Sequence, residues 1–238
     1  MLSAVIPLHN EAGNVAPLVG EIRQFLTAVV PYEIVLVNDG STDSTLAECR
    51  ALQGVRVISH RAACGQSAAL LTGIRAAAGE WVVTLDGDGQ NDPADILGLW
   101  QKTMELSQSG ARVMVMGERT RRQDSSARRW MSRAANQIRQ AMLHDGVRDT
   151  GCSLKIFRRD DFLALPYFDH IHRYIPALMR REGVMTCAFP VNHRPRGYGV
   201  SKYGFWDRLW VSMMDVLGVY WLLHRRKLPE VIHEQFVG

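Results

Sequence analysis

The stretch Trp81-Val-Val-Thr-Leu-Asp-Gly-Asp-Gly-Gln-Asn-Asp-Pro93 decides the fold. Its first five residues are apolar and β-prone, the pattern of a strand buried on both faces. The composition then switches to Asp, Gly and Gln. Asp92 stands where a helix N-cap belongs, Pro93 fits a first helical position, and a helix-length segment runs on to Ser109. Strand, polar turn and helix follow one another within one short span.

The same unit recurs on either side. Leu2–Ile6 is followed by His9-Asn10-Glu11 and a helical pattern over Asn14–Val30. Glu33–Asn38 leads into Asp39-Gly40-Ser41-Thr42-Asp43, with Asp43 as cap for Ser44–Leu52. Val55–Ser59 precedes Gln66–Ala78, and Val113–Met116 follows the segment that opened at Pro93. Alternation of this kind predicts an α/β fold, a Rossmann-like, mostly parallel sheet flanked by helices with right-handed crossovers. Ligands of such sheets bind at the carboxyl ends of the strands, where the three polar clusters fall.

Beyond Met116 the pattern is less regular. Ser125–Leu143 is arginine-rich, with Trp130, Met131, Ala134, Ile138 and Met142 at helical spacing. Leu154–Phe157 and Met185–Asn192 read as strands. Tyr203–Leu223 is strongly apolar but holds Asp207, Arg208 and Asp215. Its longest uncharged stretch, Val216–Leu223, falls far short of the ~20 residues of a spanning helix. It reads as an amphipathic interfacial helix, followed by the basic cluster His224-Arg225-Arg226-Lys227.

Composition narrows the function. With 238 residues, 47% apolar and 22% charged, the chain can bury a core, which excludes a disordered or coiled-coil protein. The charge is divided: residues 1–111 carry a net of −6 and residues 112–238 a net of +10. An acidic half can hold a cation and a basic half can face phosphate or an anionic membrane; solvated arginines would give the same count. Cys49, Cys64, Cys152 and Cys187 show no C-x-x-C spacing, so buried structural thiols in a reducing compartment are expected. The start lacks a basic segment and a long apolar run, so no signal peptide is expected.

Asp86-x-Asp88 is the most chemical feature. Two carboxylates this close repel unless a cation lies between them or one is protonated. Hard oxygen ligands suit Mg²⁺ or Mn²⁺, which commonly also hold substrate phosphates. A solvated turn is the plain alternative. An EF-hand is excluded, because Asn91 and Leu97 stand where the loop needs Gly and Glu. Asp39 to Asp43 fits a nucleoside contact or a simple turn and cap. No glycine-rich dinucleotide or P-loop signature is present. His170-x-His172 reads as a surface pair at a helix start. Arg119, Arg121, Arg122, Arg128, Arg129 and Arg133 supply guanidinium forks that match phosphate oxygens. No nucleic-acid module is visible, so nucleic acid is not the expected partner.

Taken together, these clusters resemble the family 2 glycosyltransferases of the GT-A fold, in the subgroup of polyprenyl- and dolichyl-phosphate sugar synthases. The matching segments are Val5–Glu11, Glu33–Asp43, Gly65–Ala69 with Gly73, Gly79–Pro93, Gly117–Arg121, Asp149–Arg158 and Arg196–Tyr203. They run in the family's order, and the last two distinguish the subgroup.

The resemblance implies an inverting transfer of sugar from a nucleotide-sugar (UDP- or GDP-) to a polyprenyl phosphate, with Mg²⁺ or Mn²⁺. It implies that Pro7, Glu11 and Asp39 line the nucleoside pocket, with His9 beside them where many members carry an aromatic residue. Asp86, Asp88 and Gln90 would surround the metal and diphosphate. Arg119, Arg129, Arg133, Arg196 and Lys202 would meet phosphates, Ser201 would fix the Lys202 loop, and Asp149 would lie near the reacting centre; Asp88, Asp149 and Arg119 form the expected catalytic set. Gly87 replaces the usual alanine and Asn91 a more usual Asp or His.

The division expected is a glycosyltransferase domain over 1–205, with nucleotide-sugar half 1–117 and acceptor half 118–205, then an interfacial helix and basic tail over 206–238. The chain is expected on the cytoplasmic face of the inner membrane as a peripheral protein without a spanning helix. An integral membrane partner or a homo-oligomer is compatible with this. The competing readings are a family 2 enzyme acting on a polysaccharide or protein hydroxyl, and a non-catalytic membrane adaptor on the same fold.

Overall fold

A computed structural model describes residues 1–119, 149–195 and 205–225, with a few positions between 140 and 146; in the last segment side chains are described from Met213 onward. Strands β1 (Leu2–Leu8), β2 (Tyr32–Asn38), β3 (Arg56–Ser59) and β4 (Trp81–Thr84) alternate with helices α1 (Val15–Leu26), α2 (Thr45–Ala51) and α3 (Gln66–Ala76). Helix α4 (Asp95–Ser107), β5 (Val113–Arg119), β6 (Lys155–Arg158) and α5 (Arg159–Leu163) follow. A 3₁₀ turn (Ile171–Arg173), α6 (Ile175–Arg181), β7 (Met185–Val191) and α7 (Phe205–His224) complete the described elements.

The strands form one seven-stranded sheet in the order β3-β2-β1-β4-β6-β5-β7. It is mostly parallel, as the alternating pattern predicts. β6 alone runs against both its neighbours, with Lys155 opposite Thr84 on one side and Met116 on the other. The reversal matters for the site. It brings the start of β6, and the chain just before it, to the edge where the other strands end.

One face of the sheet is covered by α1, α2 and α4 through Val15, Leu18, Ile22, Cys49, Ile96 and Leu99. The other face is covered by α3, α5, α6 and α7 through Leu70, Ile74, Phe162, Leu178 and Val219. Gly73 lets α3 approach closely: a Cβ there would stand 2.5 Å from Val5 Cγ1.

Several expectations are corrected. β3 and β7 are edge strands with exposed positions, so burial on both faces holds only for the inner strands. Helix α4 starts at Asp95, not Pro93; Asp92 Oδ1 still accepts the Ala94 amide at 3.0 Å, so it caps the turn ahead of the helix. Asp43 Oδ1 accepts the Thr45 amide at 3.0 Å in the same way. Cys64 is exposed and Cys187 half-buried, so only Cys49 and Cys152 are buried thiols. Of the arginine-rich segment 125–143, most lies outside the described residues; Met142 and Leu143 are helical, and Leu143 is buried.

Candidate active site

The sheet's topology places the polar clusters together. β2 lies on one side of β1 and β4 on the other, so the chain turns away in opposite directions beyond them. A crevice opens at such a switch point, outside the carboxyl ends of the strands. Pro7 lies within β1, and His9, Glu11, Asp39 and Asp86 follow the ends of β1, β2 and β4.

The loops after β1 and β2 are tied to each other. Asn10, in the left-handed region at φ 56°, accepts the Thr42 amide on Oδ1 at 2.7 Å. The Glu11 amide donates to Thr45 Oγ1 at 2.8 Å, and the Glu11 carboxylate accepts Asn14 Nδ2 at 2.8 Å. His9 Nδ1 lies 2.7 Å from the Asp39 carbonyl oxygen. Asp39 itself is buried, and its two carboxylate oxygens accept the Cys64 and Gly65 amides, each at 2.8 Å. His60 Nδ1 lies 2.7 Å from Asp39 Oδ1, and its Nε2 lies 2.9 Å from Thr72 Oγ1. Asp39 is therefore a fully hydrogen-bonded anchor that fixes the entry to α3. His60 was not visible as a functional residue in the sequence, since its partners are remote along the chain.

The end of β4 is different. Asp88 is buried, and its Oδ1 accepts the Gln90 amide at 3.1 Å. Asp86 Oδ1 accepts Gln66 Nε2 at 2.7 Å, and the Asp86 amide donates to Asn91 Oδ1 at 3.1 Å. Asn91 also accepts Ser153 Oγ at 2.6 Å, which pins the loop before β6 to the β4 turn. Loss of solvation raises the Asp86 carboxyl to about 6, and the charge of Asp88 pushes it the same way; Ser153, Lys155 and Arg119 oppose this incompletely. An acid pair with this excess of negative charge, built from hard oxygens, fits a divalent cation such as Mg²⁺ or Mn²⁺. Gln90 and His193 meet beside it, with Gln90 Nε2 3.4 Å from His193 Nε2. Gly87 is close-packed: a Cβ there would stand 2.3 Å from Leu8 Cδ2, so the replacement of the usual alanine is matched to a leucine in β1.

Arg119 and Asp149 pair close enough to Asp86 for their charges to act on one another. Arg119 Nε donates to Asp149 Oδ2 at 2.6 Å and Nη2 to Oδ1 at 2.7 Å, a two-pronged ion pair. Gly151 makes room for it, since a Cβ there would stand 2.9 Å from Arg119 Nη2. The hydrogen bonds to Asp149 raise the Arg119 pKa against desolvation, with a smaller push from the field of Asp86, and hold its guanidinium charged. Lys155 is buried between these groups, with Nζ donating to the Cys152 carbonyl; desolvation lowers its pKa.

His170 and His172 are not a surface pair. His172 Nδ1 lies 2.8 Å from Ser67 Oγ in α3, and burial depresses its pKa to about 3, so the ring is neutral. His170 Nδ1 lies 3.0 Å from Asp215 Oδ2 in α7.

Of the residues singled out in the sequence, Asp86 lines a cavity, Asp88 and Arg119 act on its charge, Arg119 is paired with Asp149 and the Gln90 amide with Asp88, while Pro7 lies in β1 and His9, Glu11 and Asp39 in the loops after β1 and β2. Arg129, Arg133, Arg196, Ser201 and Lys202 lie outside the described residues. Gln66, Lys155 and Arg173 line the cavity at Asp86 without having been singled out, His193 meets Gln90, and His172, read in the sequence as half of a surface pair, lines the cavity too. Their sequence signal was weak: Lys155 sits in an apolar strand, and His172 is 105 positions from its partner Ser67.

A doubly wound α/β sheet with polar loops at its switch point is an architecture shared by many nucleotide-binding proteins. The model of glycosyl transferase family 2 matches residues 3–165, and the chain belongs to that family. A dodecaprenyl-phosphate galacturonate synthase of Rhizobium johnstonii is 34% identical over 96% of this chain and 69% of its own length. An undecaprenyl-phosphate 4-deoxy-4-formamido-L-arabinose transferase of Pseudomonas aeruginosa is 35% identical over 85% of this chain. The alignment spans 60% of that relative's length.

Among solved structures, glucosyl-3-phosphoglycerate synthase of Mycobacterium tuberculosis bound to UDP superposes with a TM-score of 0.67 at 18% identity, over 94% of this chain and 79% of that one. The same enzyme with Mn²⁺, UDP-glucose and phosphoglyceric acid gives 0.66 at 19% identity, over the same shares of the two chains. These likenesses establish the GT-A type of fold.

Proposed function

We propose that the protein is an inverting, metal-dependent glycosyltransferase that moves a sugar from a nucleotide-sugar to a polyprenyl phosphate at a membrane surface. The observation that carries this reading is the Arg119–Asp149 pair beside Asp86 and Asp88. Both oxygens of Asp149 are engaged by Arg119, so this carboxylate is a poor general base. A hydroxyl acceptor needs one. A phosphate monoester does not, because its second pKa lies near ~6 and it is largely ionised at neutral pH. The names of the relatives agree, since both act on polyprenyl phosphates.

In this reading Pro7, His9, Glu11 and Asp39 bound the nucleoside, and the loop ties between β1 and β2 hold that rim rigid before the donor arrives. Asp86 and Asp88, with Gln90 beside them, would hold Mg²⁺ or Mn²⁺, which when bound neutralises the charge of the leaving diphosphate. Asp149 positions Arg119 so that its guanidinium faces the phosphates already charged and oriented. Arg129, Arg133, Arg196 and Lys202, with Ser201, are the proposed contacts to the acceptor phosphate. The nucleotide-sugar half 1–117 and the acceptor half 118–205 divide the work along this line.

Membrane contact is supported by α7. Met213, Met214, Leu217, Tyr220 and Trp221 are exposed and share one face, while Val216, Val219, Leu222 and Leu223 pack on the core. Among the described residues no helix is long and apolar enough to cross a membrane. The helix therefore lies along the interface, with Trp221 and Arg225 at the headgroup level. The cytoplasmic face is the proposed location.

The experiment is incubation of the protein with Mn²⁺, undecaprenyl phosphate and a panel of UDP- and GDP-sugars, followed by mass spectrometry of the lipid. A sugar–phospholipid product is expected, and an excess of a hydroxyl acceptor should not compete. Transfer to the hydroxyl in preference to the lipid phosphate would overturn the assignment.

A further inference from the structure

A second group of metal-ligating side chains stands at the end of β2, across β1 from Asp86 and Asp88 at the end of β4. Asp39, His60 and Cys64 each offer one ligand atom, and those atoms all lie within 4.8 Å of one another. The chemistry of this set differs from that at β4. Asp86 and Asp88 are hard oxygen donors that suit Mg²⁺ or Mn²⁺. A carboxylate, an imidazole and a thiolate are together ligands of tetrahedral zinc.

The group is held in place by the chain around it. The Cys64 and Gly65 amides donate to Asp39 Oδ1 and Oδ2, each at 2.8 Å, so the backbone at Cys64 is tied to the carboxylate. Gly40 lets that segment come close, since a Cβ there would stand 2.4 Å from the Ala62 carbonyl carbon. His60 is oriented at both ends. Its Nδ1 faces Asp39 Oδ1 at 2.7 Å and its Nε2 faces the Thr72 hydroxyl at 2.9 Å. Metal-bound histidines are held in this manner, with one nitrogen on the ion and the other on a fixed partner. A threonine hydroxyl both donates and accepts, so Thr72 serves either tautomer of the ring. Asp39 is buried, whereas Cys64 is exposed and opens the group to solvent.

We propose that Asp39, His60 and Cys64 form a binding site for a borderline-soft divalent cation of the zinc type, distinct from the hard-cation site at β4. An ionised carboxylate only accepts, so in the absence of the ion His60 Nδ1 carries the proton that joins it to Asp39. The ion takes the place of that proton. The ring then carries its proton on Nε2, donated to Thr72, and the Cys64 thiol proton passes to solvent. Asp39 keeps both amide donors, and its charge and that of the thiolate neutralise the ion. Ligand atoms around tetrahedral zinc are about 3.3–3.8 Å apart, given bonds of about 2.0–2.3 Å. A turn of the exposed Cys64 side chain closes the set to that size, and water fills the fourth position. An occupied site closes the nucleoside rim at Asp39, so the cation inhibits donor binding. This consequence, unlike the site itself, rests on the glycosyltransferase reading.

The test uses the full chain, a phosphine reductant and Co²⁺ as the optical probe. One Co²⁺ per chain is expected to give a near-ultraviolet thiolate-to-cobalt band with the strong visible bands of a tetrahedral centre, and Zn²⁺ should displace it. Asp88→Asn should keep these bands. Cys64→Ser, at an exposed position, should lose the thiolate band, and His60→Gln should bind the ion about a hundredfold more weakly or worse. In a second arm, UDP and GDP are titrated in excess Mg²⁺ with and without Zn²⁺. Zn²⁺ at about ten times its own Kd should weaken the nucleotide about tenfold in the wild type and leave it unchanged in Cys64→Ser.

A wild-type spectrum without the thiolate band overturns the site and needs no variant to fold. An undiminished band in Cys64→Ser also overturns it and places the ion on another cysteine. Nucleotide affinity indifferent to Zn²⁺, in a wild type that shows the band, overturns the inhibition. Failure of UDP and GDP to bind even without Zn²⁺ would overturn the glycosyltransferase reading and the inhibition with it, while the cobalt spectrum still decides the site.

Discussion

Asp39 and Asp86 follow strands that flank β1 on either side, and they show two uses of a buried or half-buried acid. Asp39 has each oxygen filled by a backbone amide and a histidine at its edge. Its charge is satisfied from within the chain. Asp86 accepts from Gln66 and is eased by Ser153, Lys155 and Arg119, but it faces a second acid, Asp88, and burial and that charge prevail. Its charge is left over. The same residue type at equivalent ends of neighbouring strands is an anchor in one case and a ligand seeker in the other. What separates them is the company each keeps: Asp39 meets two backbone amides and a histidine, whereas Asp86 shares its turn with a second acid.

Substitutions can break this contrast. The largest effect is expected at Asp88. Asp88→Asn removes the charge that makes the β4 end a cation site, and turnover should fall by ~10³-fold or more with an unchanged fold. Transfer assays and circular dichroism check both halves; turnover within a few fold of wild type would place the metal elsewhere.

Arg119→Lys keeps the charge but loses the fork that engages both Asp149 oxygens. Turnover should drop by about ten- to a hundredfold, with the loss in kcat rather than in the donor's KM. A pure KM effect would make Arg119 a donor-binding residue instead.

Asp39→Asn has the opposite signature. It leaves one buried amide facing an NH₂ group, so the cost should appear as about 1–3 kcal/mol of stability in urea unfolding. Any catalytic loss per folded molecule should appear in the donor's KM, through the nucleoside rim that Asp39 helps to form, whereas Asp88→Asn loses kcat.

The smallest effect is expected at His172, and it is pH-dependent. Its folded pKa of about 3 lies below the ordinary 6.5, so between those values the unfolded chain binds a proton that the folded chain excludes. Stability from this site is complete above about 6.5 and is lost as the pH falls towards 3. His172→Gln should flatten the decline of the unfolding midpoint between neutral and acid pH. A decline as steep as the wild type's would assign it to other groups.

The sheet edge that carries the proposed donor side was largely legible in the sequence. Apolar runs such as Val82–Leu85 and Ile34–Val37 announce buried strands, and a polar cluster after each can only fall on one sheet edge. The Asp86 and Asp88 pair was legible for the same reason. The other wall was not. Leu154–Phe157 reads as a strand, but nothing in four residues states its direction, and the reversal of β6 is what carries Lys155 and Asp149 to the site. The 3₁₀ turn was read as surface because His170 and His172 find their partners, Asp215 and Ser67, across the fold. Asp39 was read as a nucleoside contact, and its role as an anchor depends on the Cys64 and Gly65 amides, which no spacing rule connects to it.

The contrast between the two acids is tested most directly by titrating Mn²⁺ into the wild type, Asp88→Asn and Asp39→Asn with UDP or GDP present, following the free ion by electron paramagnetic resonance. One tight site is expected in the wild type, lost in Asp88→Asn and kept in folded Asp39→Asn. Equal Mn²⁺ binding by wild type and Asp88→Asn would contradict it.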